Sequence, residues 1–228
     1  MAECFSALAG KREVTAPAEA PISAAEQTRA AQIGASFFRH RSWLPLLFLG
    51  IVLFWPATPS HTDWIVGAFL VVLGEAFRLA GVAAAGTETR RRSRAVQRLV
   101  TYSVFAWSRN PLYNGNFLIW MGFVVMSGVL WFLPVAIVLF AAEYSFIVRY
   151  EEGVLESIFG SEYLEYKGRT PRWLPRFSPG PAGNSQYHWG EAWRSEISTF
   201  LQYVVLLAIF VLKSRYYPVF LESHHYFR

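Results

Sequence analysis

Cysteine is almost missing from this chain: Cys4 stands alone among 228 residues. That excludes a disulfide framework within the chain and a thiolate-based zinc site. Charge is scarce as well. Only 16% of the residues are Asp, Glu, Lys or Arg, where soluble domains carry roughly a quarter. No GxGxxG turn follows a strand, and there is no Walker loop and no HExxH pair, so the chemistries those motifs support have no footing. The histidines His40, His61, His188, His224 and His225 have no metal-ligand spacing, and no metal is expected. The amino-terminal stretch has too short an apolar run and no basic leader for a signal peptide.

What is present is apolar: 54% of the chain is hydrophobic and 17% aromatic. This is the composition of a membrane protein. The formal net charge of +5 comes from arginines beside apolar runs, which suits anionic lipid headgroups better than nucleic acid.

Residues 1–41 form a polar lead-in, expected in the cytosol. Residues 42–177 form the core and 178–228 a linker with a final hydrophobic helix. Hydrophobic stretches fall at 42–55, 64–86, 112–128 and 129–150, and a fifth at 197–212 follows a Pro/Gly-rich linker. The stretch 64–86 is long enough for a hydrocarbon core of about 30 Å. Only Ser127 and Gly128 separate the third and fourth, which predicts a tight helical hairpin. The expected fold is all-α, an integral-membrane helical bundle with four core transmembrane helices and a fifth at the C-terminus. Loop 56–63 carries no Lys or Arg, whereas loop 87–111 carries Arg90, Arg91, Arg92, Arg94, Arg98 and Arg109. Excess arginine marks the cytosolic side, so 87–111 and the segment after Tyr150 are both expected there.

Three constellations stand out. The stretch "SRNPLYNGNFLIWMG" (108–122) sets a polar, conformationally restricted collar at the mouth of an apolar run. Arg109 offers a planar donor fork for a carboxylate or phosphate. Pro111 biases Asn110 towards an extended conformation, and Gly115 makes room for a close backbone or ligand. A plain helix start with Arg109 on lipid phosphate accounts for the same residues. Secondly, Glu151 and Glu152 are expected at the end of a membrane helix, where the macrodipole disfavours acids, and so call for a nearby cation. Thirdly, Glu75 and Arg78 share one face of the second span, and Glu143 lies in the fourth. Charges at such depth face a partner or a cavity.

In order and spacing, "GEAFR" (74–78), "LVT" (99–101), "SRNPLYNGN" (108–116), "EEGVL" (151–155), "FGSEYLEYK" (159–167) and "PRWLP" (171–175) resemble the isoprenylcysteine carboxyl methyltransferase and phospholipid methyltransferase superfamily. The resemblance covers 74–177. It implies an integral-membrane enzyme that takes S-adenosylmethionine (AdoMet) from the cytosol and methylates a lipid-like or prenylated substrate from the bilayer. It implies a cofactor site from Arg109, Asn110, Pro111, Tyr113, Gly115, Asn116, Glu151, Glu152, Tyr163 and Tyr166, closed by 159–175. Catalytic roles fall to Arg78 and Glu75, with Arg78 orienting an acidic or polar-headed acceptor. Prenylcysteine enzymes carry His where this chain has Asn110, so the cofactor chemistry carries over further than the acceptor does.

Two acceptor chemistries follow. A carboxylate needs no base, whereas an amine must lose a proton, to Glu75, Glu143 or Glu152. Two rival functions remain: an NADPH-dependent membrane reductase of similar fold, its nucleotide phosphate met by arginines 90–94, and a non-catalytic membrane scaffold. The paired glutamates suit a cationic donor better than NADPH.

Overall fold

The computed structural model describes residues 44–86, 98–177 and 187–225. The lead-in, the arginines at 90–94 and most of the Pro/Gly-rich linker lie outside them. The described residues are helical, with no strand among them: α1 (Leu44–Phe54), α2 (His61–Ala85), α3 (Val104–Trp107), α4 (Pro111–Ser127), a 3-10 turn (Leu130–Phe132), α5 (Leu133–Phe159), α6 (Ser161–Arg169) and α7 (Trp189–His225).

Local chemistry sets the boundaries. Helix α2 begins at a capping box: the Asp63 N–H donates to Ser60 Oγ at 3.2 Å, and the Ser60 N–H donates back to the Asp63 carboxylate at 2.7 Å. Both bonds satisfy donors that a helix start leaves over. Helix α4 opens on Pro111, whose missing N–H costs nothing in a first turn. It ends at Gly128, where φ is 76° and an added Cβ would lie 2.9 Å from the Pro59 nitrogen. Only glycine meets both conditions. The expected hairpin follows directly, through the 3-10 turn into α5.

The tightest packing in the bundle joins α2 to α4. A Cβ on Gly74 would meet the Gly115 carbonyl at 2.6 Å, and one on Gly115 would meet the Gly74 carbonyl at 2.6 Å. One step further along, Gly67 and Gly122 repeat the arrangement at 2.6 and 2.7 Å. Glycines seven residues apart on each of two antiparallel helices bring the backbones together, the usual solution where lipid removes the hydrophobic drive for helix pairing. The missing side chain of Gly115 is therefore filled by helix α2. Phe48 and Val52 of α1, Val124 and Met126 of α4, Phe132, Ala136 of α5 and Phe210 of α7 close a shared core around this pair.

Three helical stretches are long and apolar enough to cross a membrane: His61–Ala85, Leu130–Phe159 and Trp189–Tyr216. These are the three found among the described residues; α1, whose preceding residues lie outside them, has 11 described residues and α4 has 17. At 1.5 Å per residue these extend only about 16 and 25 Å. The fifth stretch, in contrast, belongs to a helix of 37 residues. One expectation is corrected. Helix α5 does not stop near Tyr150 but continues to Phe159, so Glu151 and Glu152 lie two turns inside it. The segment 151–159 holds one glycine, Gly153, but no proline, and its three glutamates and leucine favour a helix.

Candidate active site

Two polar clusters occupy the bundle. The first joins the collar to the segment that follows α6. The Arg109 N–H donates to the Pro171 carbonyl at 2.9 Å, and the Arg176 N–H donates to the Trp107 carbonyl at 2.9 Å. Asn110 Nδ2 donates to the Arg172 carbonyl at 3.0 Å, and Asn114 Nδ2 to the Trp173 carbonyl at 2.8 Å. Residues 170–176 thus form a strap tied across the start of α4, and the collar asparagines make the ties. Tyr166 fixes the near end: its hydroxyl donates to the Phe105 carbonyl at 2.7 Å.

Beneath the strap lies Glu152, 5% exposed. Its Oε1 accepts from Arg172 Nε at 3.1 Å and lies 3.1 Å from Arg109 Nη2, while its Oε2 accepts from Arg172 Nη2 at 2.6 Å. The cation expected near Glu152 is therefore two arginines, one from the collar and one from the strap. Arg109 also donates to the Lys167 carbonyl at 2.8 Å, leaving its Nε buried without a hydrogen-bond partner. Glu151 sits apart, accepting from the Tyr113 hydroxyl at 2.7 Å. Tyr163 is 1% exposed and packs edge-on against Tyr166. Burial, then the Glu152 charge, raises the Tyr163 phenol well above its ordinary range. Burial, then Tyr163, does the same to Tyr166. The Arg172 guanidinium is held above its usual value first by its hydrogen bond to Glu152. Outside these contacts a cavity of about 610 Å³ opens, walled by Arg109, Lys167, Arg169, Arg172 and Arg176 among others.

The second cluster lies inside the bundle. Arg78 Nη2 donates to both carboxylate oxygens of Glu196 at 3.1 Å, and Arg78 Nε lies 3.4 Å from Glu75 Oε2. Arg78 Nη1 donates to Asn116 Oδ1, and Asn116 Nδ2 reaches the Tyr144 hydroxyl at 3.5 Å. The Tyr203 hydroxyl donates to Glu75 Oε2 at 3.0 Å. Two carboxylates therefore surround one guanidinium, whose two Nη groups are bonded while its Nε is buried without a hydrogen-bond partner. The guanidinium expected to orient an acidic or polar-headed acceptor is paired here with charges of the chain itself.

The structure divides the expected site residues. Arg109, Asn110, Pro111, Glu152, Tyr163 and Tyr166 gather at the collar. Tyr113 and Glu151 pair beside it, while Asn116 and Gly115 face Arg78 and Glu75 in the interior. Four participants are new. Glu196 and Tyr203 come from α7, beyond the resembling segment, and Arg172 lies in the closing segment 159–175 without having been named as a site residue. Asn114 lies within the collar motif, outside the expected site set. Glutamate at 196, directly before the apolar run 197–212, was the one signal available.

Comparison with known proteins bears on this geometry. The family model for phospholipid methyltransferases matches residues 62–162. The human protein-S-isoprenylcysteine O-methyltransferase is 35% identical over 144 residues, 59% of this chain and 48% of its own length. The Arabidopsis thaliana protein-S-isoprenylcysteine O-methyltransferase B is 31% identical over 140 residues, 57% of this chain and 68% of its own. The Saccharomyces cerevisiae protein of that activity is 30% identical over 139 residues, 57% of this chain and 56% of its own. The chain thus spans about half the length of the human relative. No solved structure matches significantly.

Proposed function

We propose a function from one premise: the chain belongs to the family of integral-membrane methyltransferases that includes the isoprenylcysteine O-methyltransferases and the phospholipid methyltransferases. The function is methyl transfer from AdoMet to a lipid-like acceptor drawn from the bilayer. The observation that carries it is Glu152, buried between Arg109 and Arg172 where the strap crosses the collar.

Those residues suit the two ends of AdoMet. Pockets of roughly 300–1,000 Å³ hold small ligands, and a cavity of about 610 Å³ falls in that range. Its basic wall and the unpartnered Arg109 Nε match a carboxylate, and the Glu152 carboxylate behind them matches an ammonium group. When bound, AdoMet would supply an electrophilic methyl on its sulfonium, with Arg109 and the strap arginines holding its carboxylate and Glu152 its ammonium. The protein's part is alignment, which contributes roughly 7–11 kcal/mol to such reactions. The strap's ties to Arg109, Asn110 and Asn114 hold the collar in place. The arginine-rich loop and strap are assigned to the cytosolic face, where AdoMet is available. The relatives' names specify isoprenylcysteine; for this chain the acceptor is a prenylated or other long-chain molecule, methylated on a carboxylate or an amine.

Calorimetric titration of the detergent-solubilised chain with AdoMet and with NADPH tests the reading. Saturable AdoMet binding with none for NADPH is expected. Binding of NADPH alone would move the chain to the reductase reading, and binding of neither to a scaffold.

A further inference from the structure

Helix α7 is the least covered of the three membrane-length stretches. Its apolar part is 11% buried, whereas those of α2 and of Leu130–Phe159 are 33% and 39% buried. Bare apolar surface is ordinary against lipid and calls for no partner. Gln202 is different. Its side chain is exposed, and among the described residues its amide has no hydrogen-bond partner. Trp189 and Tyr216 bound the stretch, and Gln202 lies about 20 Å from each at 1.5 Å per residue. That is the middle of a hydrocarbon core of roughly 30 Å. Lipid chains offer neither donor nor acceptor there, and a polar group left unpaired in hydrocarbon is costly.

The surroundings of Gln202 indicate what pairs with it. Ser198, Val205 and Leu212 follow one another at steps of seven residues, as do Gln202, Ile209 and Tyr216, and all six are exposed. The two rows are offset by four residues, so they form one stripe with the four-and-three spacing by which two helices pack along their length. Glu196 and Tyr203 tie α7 to the interior cluster. They lie roughly 100–120° round the helix from Gln202, at 3.6 residues per turn. The stripe is therefore open while α7 stays anchored.

We infer that this stripe is the contact between two copies of the chain, with Gln202 meeting the same residue of the second copy. Two copies inserted in one membrane share an orientation, so their α7 helices run parallel. A twofold axis along the bilayer normal then sets each residue of the stripe beside its own counterpart. A carboxamide both donates and accepts, so two glutamines satisfy each other where a single one satisfies nothing. That self-complementarity favours a second copy over an unrelated helix. Ser198, one turn earlier, is small and lets the backbones approach. Pairing through α7 leaves exposed side chains of α2, such as Phe69 and Val72, and of α5, such as Val138, facing the bilayer. The inference does not rest on the methyltransferase reading.

Oxidative cross-linking in liposomes tests it, on the full chain carrying Cys4→Ser. Ser198→Cys and Val205→Cys lie on the stripe. Ile197→Cys and Val204→Cys lie off it on equally open surface, where Ile197 is 63% and Val204 62% exposed. The first two should be joined into dimers and the second two left single, since a disulfide needs Cβ atoms within about 4.5 Å. Chance collisions would join all four alike. Energy transfer between labelled chains, followed as the protein is diluted in lipid, measures the association itself. Gln202→Leu should weaken it about 3- to 30-fold, the range of a hydrogen bond between membrane helices, and Gln202→Asn, which keeps an amide, should lose less. Equal cross-linking on and off the stripe, or unchanged association in Gln202→Leu, would overturn the proposal. So would a parent chain that stays monomeric; protection of Gln202→Cys from a lipid-soluble thiol reagent in that monomer would assign the stripe to another segment of the same chain.

Discussion

The two polar clusters are opposites in composition. At the collar, two guanidiniums, Arg109 and Arg172, hold one carboxylate, Glu152. In the interior, two carboxylates, Glu75 and Glu196, hold one guanidinium, Arg78. The collar cluster borders an open basic cavity, where water screens any excess charge. The interior cluster sits among apolar helices, with Glu196 fully buried. A pairing that is adjustable at the first site is obligatory at the second. The comparison separates what holds the bundle together from what is available to a ligand.

Removing the obligatory partner should have the largest effect. Arg78→Leu leaves Glu75 and Glu196 facing each other in the interior, and breaking a buried pair in this way costs about 3–5 kcal/mol. Thermal unfolding in detergent should show the largest loss of any single substitution discussed here. A variant that melts like the parent would mean that the carboxylates are not held as an ionic cluster.

Next comes the glycine contact that places Arg78. An added methyl at Gly115 meets the Gly74 carbonyl at 2.6 Å and Arg78 Cγ at 2.7 Å. Gly115→Ala must part the helices or displace Arg78, and overpacking of this kind costs typically 1–3 kcal/mol. Its melting temperature should fall less than that of Arg78→Leu, and Gly74→Ala should match it. If Gly115→Ala alone abolished AdoMet binding while the bundle kept its stability, Gly115 would belong to the cofactor site.

The smallest effect belongs to the collar's outer tie. Tyr166→Phe removes the hydroxyl bond to the Phe105 carbonyl, worth about 1 kcal/mol. Tyr163 and Tyr166 also give the collar a pH dependence. Both phenols are raised in the fold, so their contribution is fully present below the unfolded phenol value of about 10. It is lost as pH climbs beyond that value, because ionisation is then easier in the unfolded chain. Melting temperature should decline above about pH 10, and less steeply in Tyr166→Phe.

The sequence made the collar more legible than the interior. Arg109 and Glu152 were expected at one membrane face because the apolar runs between them fold as a hairpin, and they meet at 3.1 Å. Glu75 and Arg78 were visible as charges three apart on an apolar helix. Their third partner, Glu196, lies 118 residues beyond Arg78, and helix periodicity carries no information about which distant helix packs alongside. The strap was visible as a motif, but its hold on Asn110 and Asn114 was not, since backbone carbonyls accept from any side chain that arrives. The end of the fourth run was missed for a related reason. Apolar runs give composition, whereas the continuation of α5 past Tyr150 depends on where tertiary contacts hold a helix.

AdoMet titration of Glu152→Gln tests the central claim most directly, with Arg109→Lys beside it. Glu152→Gln keeps the shape of the side chain and removes the charge that both arginines and the ligand's ammonium share. Charge-assisted bonds of this kind are worth about 1.5–3 kcal/mol, so calorimetry should show AdoMet affinity reduced roughly 10- to 100-fold, in a bundle that still folds. Arg109→Lys keeps the charge but loses the planar fork, and should weaken binding in the same direction. Unchanged AdoMet affinity in both folded variants would contradict the account and leave the collar a purely structural tie.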